Sequence, residues 1–310
     1  MDTPLDASDT STQVFEVPAG SNARALGPKL VEAGLIEDEN AWRYYLKSRE
    51  AGACLKAGRF ELSRSMNMPQ LMDTMCGAPL ADEEPFTVVE GWRIRDIDAA
   101  LAEAGHIEAG AYKAAVNSPG DFELDLPVEG LSTLEGFLWP ETYMVPSEDF
   151  EVKAFVQRQL DTFTERFETA GGTDKLGDRT LYEVVIVASM LEREEPRPDN
   201  RPIVAGIIWK RLDNGWQLGI DATSRYTIEN WNDRKAFLKQ LRDPADPYNT
   251  RERKGLPPTP IGNPSLPSLE AALAPEASEN WFYLHDAQGN LHPSRNAAEH
   301  EAKRKKYNVY

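Results

Sequence analysis

A chain of 310 residues has the length of about two domains and ample material for a core, and its formal charge of -17 argues against nucleic acid or an anionic membrane as the main partner. Its two cysteines, Cys54 and Cys76, exclude a disulfide framework and leave room for one bridge in an oxidising compartment. The stretch from Met1 to Gln13 is short, polar and acidic, which fits neither a signal peptide nor a membrane span and reads as a flexible leader over 1–13.

A first unit is expected over 14–80. Val14 to Val17 reads as a short strand, followed by a Pro18-Ala19-Gly20 turn and Ser21 as N-cap. Ala23, Leu26, Leu30 and Leu35 then give a helical apolar face, and a second helix runs from Asp38 to Arg49 with Trp42, Tyr45 and Leu46. Gly58 to Leu62 reads as a returning strand and Met68 to Met75 as a closing helix. This strand, helix, helix, strand order is similar to a LysM domain, a small module associated with binding the glycan of peptidoglycan.

A second unit is expected over 81–310. FTVVEGW, from Phe86, reads as a strand whose Glu90-Gly91 turn leads into a helix from Ile94 to Ala104. Residues 105–130 read as a surface insertion with a short helix near Ala109 to Asn117. In LEGFLWPETYMVP, residues 134–146, Phe137, Trp139 and Tyr143 form either a sugar-stacking surface or the loop's own core. A helix from Phe150 to Glu168 follows.

The longest apolar run is TLYEVVIVASMLEREEPRPD, Thr180 to Asp199. From Val184 to Leu191 it is apolar nearly all round, so as a helix it belongs inside the domain, and Pro196 ends it with Glu192 and Glu194 in the last turn. Roughly 100° of rotation per residue points those two glutamates in different directions. Glu194 continues the side occupied by Met190 and Leu191, where burial and the negative helix end both raise a carboxyl pKa and prepare a general acid. Glu192 follows Ala188 and Ser189 and could equally face a cleft. A solvated charge cluster with Arg193 is the plain alternative.

Beyond Pro202 a helix is expected to run to a Gly215 C-cap, then WQLGIDATSRY with Asp221 and Thr223 in an irregular segment. Residues 247–273 contain a proline-rich, extended loop with Ser265 or Ser268 capping the next helix. WFYLHDAQGNLHPS reads as a hairpin turning near Gln288 to Asn290, before a basic final helix. The four histidines, His106, His285, His292 and His300, lack zinc-site spacing and are expected on the surface or in packing, and no metal or cofactor is expected.

The stretches VVEGWRIRDI, LEGFLWPETY, VASMLEREE, YNTRERKGLPPTPIGNPSLPSLEAAL and WFYLHDAQGNLHPSRNAAEH, in this order, resemble the endolytic murein transglycosylases, the YceG-like family. The resemblance covers the chain from Phe15. It implies an α+β fold, a small LysM-like βααβ domain followed by a larger mixed α+β catalytic domain. It also implies non-hydrolytic cleavage of the β-1,4 bond between N-acetylmuramic acid and N-acetylglucosamine within peptidoglycan strands, leaving 1,6-anhydro ends. The family's catalytic glutamate, the second of its Glu-x-Glu, falls on Glu194. Glu192, Asp221, Thr223, Tyr226, Asn249 and Glu141 are the candidate substrate-binding residues.

The family usually reads Leu-Gln-Thr-Asp-Pro-Thr where this chain has Leu218-Gly219-Ile220-Asp221-Ala222-Thr223, so glycine stands in place of the pocket glutamine. The family carries an N-terminal membrane anchor and acts at the extracytoplasmic face of the inner membrane, where cell-wall synthases are further partners. This chain reads as the ectodomain. Two other readings stay open. One is a lysozyme-like hydrolase using Asp221 or Glu192 as nucleophile or base, and the other is a non-catalytic peptidoglycan-binding protein.

Overall fold

The computed structural model describes residues 2–80, 82–128 and 130–309. The chain divides into two compact units, one formed by the residues up to Glu83 with Pro146–Glu148, the other by Glu84–Val145 and the residues from Asp149 onward.

In the first unit β1 (Thr12–Val17) pairs antiparallel with β2 (Gly58–Ser63), with Phe15 opposite Phe60. The strand starts at Thr12, two residues before the expected Val14. Between the strands lie α1 (Gly27–Glu32) and α2 (Glu39–Arg49), and α3 (Met68–Cys76) follows. Asn22, and not Ser21, caps the first helical turn, because its side chain accepts from the Ala25 amide. The core gathers Phe15, Leu30, Trp42, Phe60, Leu62 and Met75, and the Trp42 indole donates to the Ala23 carbonyl. A Cys54–Cys76 disulfide ties the segment before β2 to the end of α3.

The second unit carries, apart from the end residues Glu83 and Pro146, a two-stranded sheet of β3 (Glu83–Thr87) with β4 (Thr142–Pro146). Its helices are α4 (Ile94–Glu103), α5 (Ala111–Ala115), α6 (Val152–Thr169), α7 (Leu181–Glu194), α8 (Arg201–Asp213), α9 (Asp221–Arg225), α10 (Arg234–Gln240), α11 (Leu266–Leu273) and α12 (Ala297–Tyr307). The strand expected over FTVVEGW instead ends at Thr87, since the chain must turn through Gly91 at φ +76°. Asp221 and Thr223, expected in irregular chain, begin α9.

α7 forms the axis of this unit. Thr180 and Glu183 close a reciprocal capping box at its start, satisfying amides that a helix N-terminus leaves open. Every residue from Val184 to Leu191 is buried, and each large apolar side chain contributes about 1.5–3 kcal/mol relative to exposure. Ser189 is tolerated there because its hydroxyl donates to the Ile186 carbonyl at 2.7 Å and accepts the Ile261 amide at 3.0 Å. Phe137, Trp139 and Tyr143 are buried in the same core, so the aromatic run is packing and not a sugar-stacking surface.

The proline-rich loop is fastened by Asn263, which is fully buried. Its side chain accepts the Leu138 amide and donates to the Trp92 carbonyl, both at 3.1 Å, while its own carbonyl accepts the Gly91 amide at 2.7 Å. Gly262 permits this approach: a Cβ there would lie 2.5 Å from the Gly91 carbonyl oxygen.

Candidate active site

α7 delivers Glu194 from the core to the wall of a cavity of about 780 Å³. Glu194 keeps part of its surface open, with Oε1 accepting the Ala222 amide at 3.2 Å and Oε2 accepting the Tyr283 hydroxyl at 3.3 Å. Burial raises its pKa above the ordinary carboxylate value, and the nearby Asp221 charge adds to the rise. The Ala222 amide, the Tyr283 hydroxyl and His285 act in the opposite sense. A carboxyl whose proton is held more tightly than usual, set on a cavity wall, is what a general acid requires.

Asp221, the first residue of α9, lines the same cavity and accepts the Arg251 Nε at 2.5 Å. That contact raises the Arg251 pKa. Arg211, from α8, donates to the Trp281 carbonyl at 2.7 Å and to the Leu218 carbonyl, which braces the segment leading to Asp221. Gly219 lies between them at φ +64°, a left-handed conformation that glycine takes at little cost. Thr223 is buried one layer behind the cavity, donating to the Ile220 carbonyl at 2.7 Å and meeting the Thr250 hydroxyl at 3.1 Å.

Of the residues expected at the site, Glu194 and Asp221 meet in this cavity, whereas the others are engaged elsewhere. Glu192 is bound by Arg201 through both guanidinium nitrogens, at 3.1 and 3.2 Å, and by Ser265 and Ser268. It also accepts the Ser265 amide at 2.9 Å, so it holds the N-terminal end of α11 against α7. Asn249 is fully buried and shapes its own loop by donating to the Leu241 and Asp243 carbonyls. Tyr226 donates to the buried Glu135 at 3.0 Å. Glu141 pairs with Arg166 on the surface at 3.3 Å.

Sequence reasoning missed three contributors: Tyr283, His285 and Glu195. Glu195 is fully buried and bonds His285 Nε2 at 2.8 Å, which fixes the imidazole on the cavity wall next to Glu194. His285, expected on the surface or in packing, is therefore part of the site. The available signal was the two-residue spacing of Tyr283 and His285 in a strand-like stretch, which places both on one side. The antiparallel bridges Phe282–Ser294 and His285–Leu291 hold that stretch in place.

Residues 15–306 match the YceG-like family. The chain belongs to this family. This YceG-like chain is 25% identical over 316 residues to a protein of Bacillus subtilis named endolytic murein transglycosylase, covering 98% of this chain and 87% of that one. A Streptococcus pneumoniae protein of the same name is 24% identical, and there the match spans 96% of this chain but 59% of the relative. The crystal structure of a YceG-like protein from Listeria monocytogenes shares the fold, with a TM-score of 0.62 at 24% identity over 94% of this chain and 99% of that one.

Proposed function

We propose that this chain is a peptidoglycan lytic transglycosylase that cuts within glycan strands, with Glu194 as its acid and then its base. The observation that carries the reading is Glu194 itself, a carboxyl raised in pKa by burial and held at the wall of an open cavity by an amide and a phenol. The names of the Bacillus and Streptococcus relatives support the substrate class. Protonated Glu194 gives its proton to the glycosidic oxygen as the C1–O bond breaks and the muramoyl ring gains oxocarbenium character. Its carboxylate then takes the proton of the muramoyl 6-hydroxyl as that oxygen bonds to C1, closing the 1,6-anhydro ring. Protons balance and no water is consumed. The nucleophile belongs to the substrate, so a single carboxyl suffices.

Asp221 supports a second reading, hydrolysis, because it shares the cavity and could activate a water. Mass analysis of products from purified peptidoglycan separates the two by one water. The transglycosylase reading expects anhydro ends from the parent chain and none from a folded Glu194→Gln. Reducing ends would move the assignment to the hydrolase, and absence of products would remove both.

The same reading puts the protein on the extracytoplasmic side, terminating nascent strands beside cell-wall synthases. The Cys54–Cys76 disulfide supports an oxidising compartment. Among the described residues no helix is long and apolar enough to cross a membrane.

A further inference from the structure

The cavity extends from Glu194 to a ledge that the chemistry above does not use. Trp216 borders it and is 41% exposed, an unusual state for an indole inside a concave wall. The ring is held in place, packed on Trp281 with centroids 4.4 Å apart and edge-on to Phe282 at 6.0 Å. Lys210 Nζ in turn lies 4.5 Å from the Trp281 ring centre. Such a fixed, partly open aromatic face suits the C–H face of a pyranose ring.

Beside the ledge stands a cation. An antiparallel bridge joins Gln217 to Lys254, and Gln217 Nε2 also donates to the Glu252 carbonyl at 3.3 Å, so the Lys254 backbone is locked beside the segment that carries Trp216. Arg251 is occupied by Asp221, whereas Lys254 is exposed and makes no ion pair among the described residues. In a chain of net charge -17, the cavity wall sets Arg211, Arg251 and Lys254 against the carboxyls of Glu194 and Asp221. That local reversal of sign favours an acidic ligand.

We propose that Trp216 and Lys254 form a subsite for an acidic sugar of the strand, its ring face on the indole and the carboxylate of its muramoyl arm at the Lys254 ammonium. The inference rests on the peptidoglycan reading and specifies which sugar the cavity selects. The carboxylate is that of the lactyl arm in strands stripped of peptide, or one carried by the stem peptide.

Calorimetric titration of the Glu194→Gln chain tests it, using length-matched chitooligosaccharides, peptide-free strands and stem-bearing strands. The carboxylate-bearing ligands should bind about fivefold more tightly than the neutral one, the size of an exposed ion pair. A gain already present with peptide-free strands assigns the lactyl carboxylate; a gain confined to stem-bearing strands assigns the peptide. Lys254→Gln should erase the preference and leave chitooligosaccharide binding unchanged. Trp216→Ala should weaken all ligands about tenfold, while Trp216→Phe retains most of the affinity and so separates stacking from misfolding. Equal affinities or no binding in the parent, a preference that survives Lys254→Gln, or affinities unmoved by Trp216→Ala would overturn the subsite. Cleavage plays no part in this readout, so failure of the reaction itself would show in the products of the wild-type chain and not here.

Discussion

Tyr283 donates its hydroxyl to Oε2 of Glu194 across 3.3 Å, on the wall of one cavity. A hydroxyl donor favours carboxylate over acid, so this contact opposes the effect of burial and holds the Glu194 pKa below where burial alone would put it. Tyr283→Phe should therefore raise that pKa further. A general acid fails as pH rises through its pKa, so the descending limb of kcat/KM should move to higher pH. Loss of the oriented contact should lower the plateau about tenfold, a fraction of the 10²–10⁴ that acid–base catalysis supplies. A pH–rate profile checks both, and an unmoved limb would deny Tyr283 this role.

Asp221 acts on Glu194 in the opposite sense, since its charge disfavours a second carboxylate nearby. Asp221→Asn should lower the Glu194 pKa and shift the same limb to lower pH. The variant also releases Arg251, whose positive charge works in the same direction. Opposite displacements in Tyr283→Phe and Asp221→Asn would tie the limb to Glu194. Displacement to higher pH in both would point to another titrating group.

The contrast between Glu192 and Glu194 shows what local pattern can and cannot convey. That the two acids part company follows from helical rotation, and burial of α7 follows from its unbroken apolar run closed by Pro196. Which of them faces the cavity depends on Arg201, Ser265 and Ser268, and the two serines stand more than seventy residues further along the chain. The hairpin carrying Tyr283 and His285 is legible as a hairpin, but its docking against the end of α7 is a tertiary fact. Thr223 and Asn249 look like polar site residues in sequence because buried loops need the same side chains to satisfy their backbone. Trp216 follows a helix-terminating glycine in sequence, and only the packing of Trp281 marks it as a ledge.

Glu192 should matter for stability more than for turnover. Its side chain is 8% exposed and that of Arg201 6%, so removing one partner leaves the other charge buried and unpaired. Glu192→Ala should cost about 3–5 kcal/mol in urea unfolding, and Glu192→Gln less, because the amide oxygen can still accept from Ser265. At temperatures where the variants stay folded, KM should hold. A raised KM with intact stability would instead make Glu192 a substrate contact.

Glu135 carries a pH dependence of a different origin. It is 2% exposed and accepts the Ile94 amide at 3.1 Å and the Tyr226 hydroxyl at 3.0 Å, yet burial outweighs both and its pKa is pushed up to about 7. The folded state therefore holds a proton that the unfolded chain releases near the ordinary glutamate value. Stability from this group is fully present below that ordinary value, falls as pH rises, and is lost once pH passes about 7, a change of roughly 3 kcal/mol. Glu135→Gln copies the protonated acid: its oxygen accepts from Ile94 and its amide donates to Tyr226. The variant should match the wild type in mild acid, exceed its stability at alkaline pH, and lose this segment of the pH slope in urea melts. If wild type and variant fall in parallel across that range, Glu135 is ionised in the fold and its two donors outweigh burial.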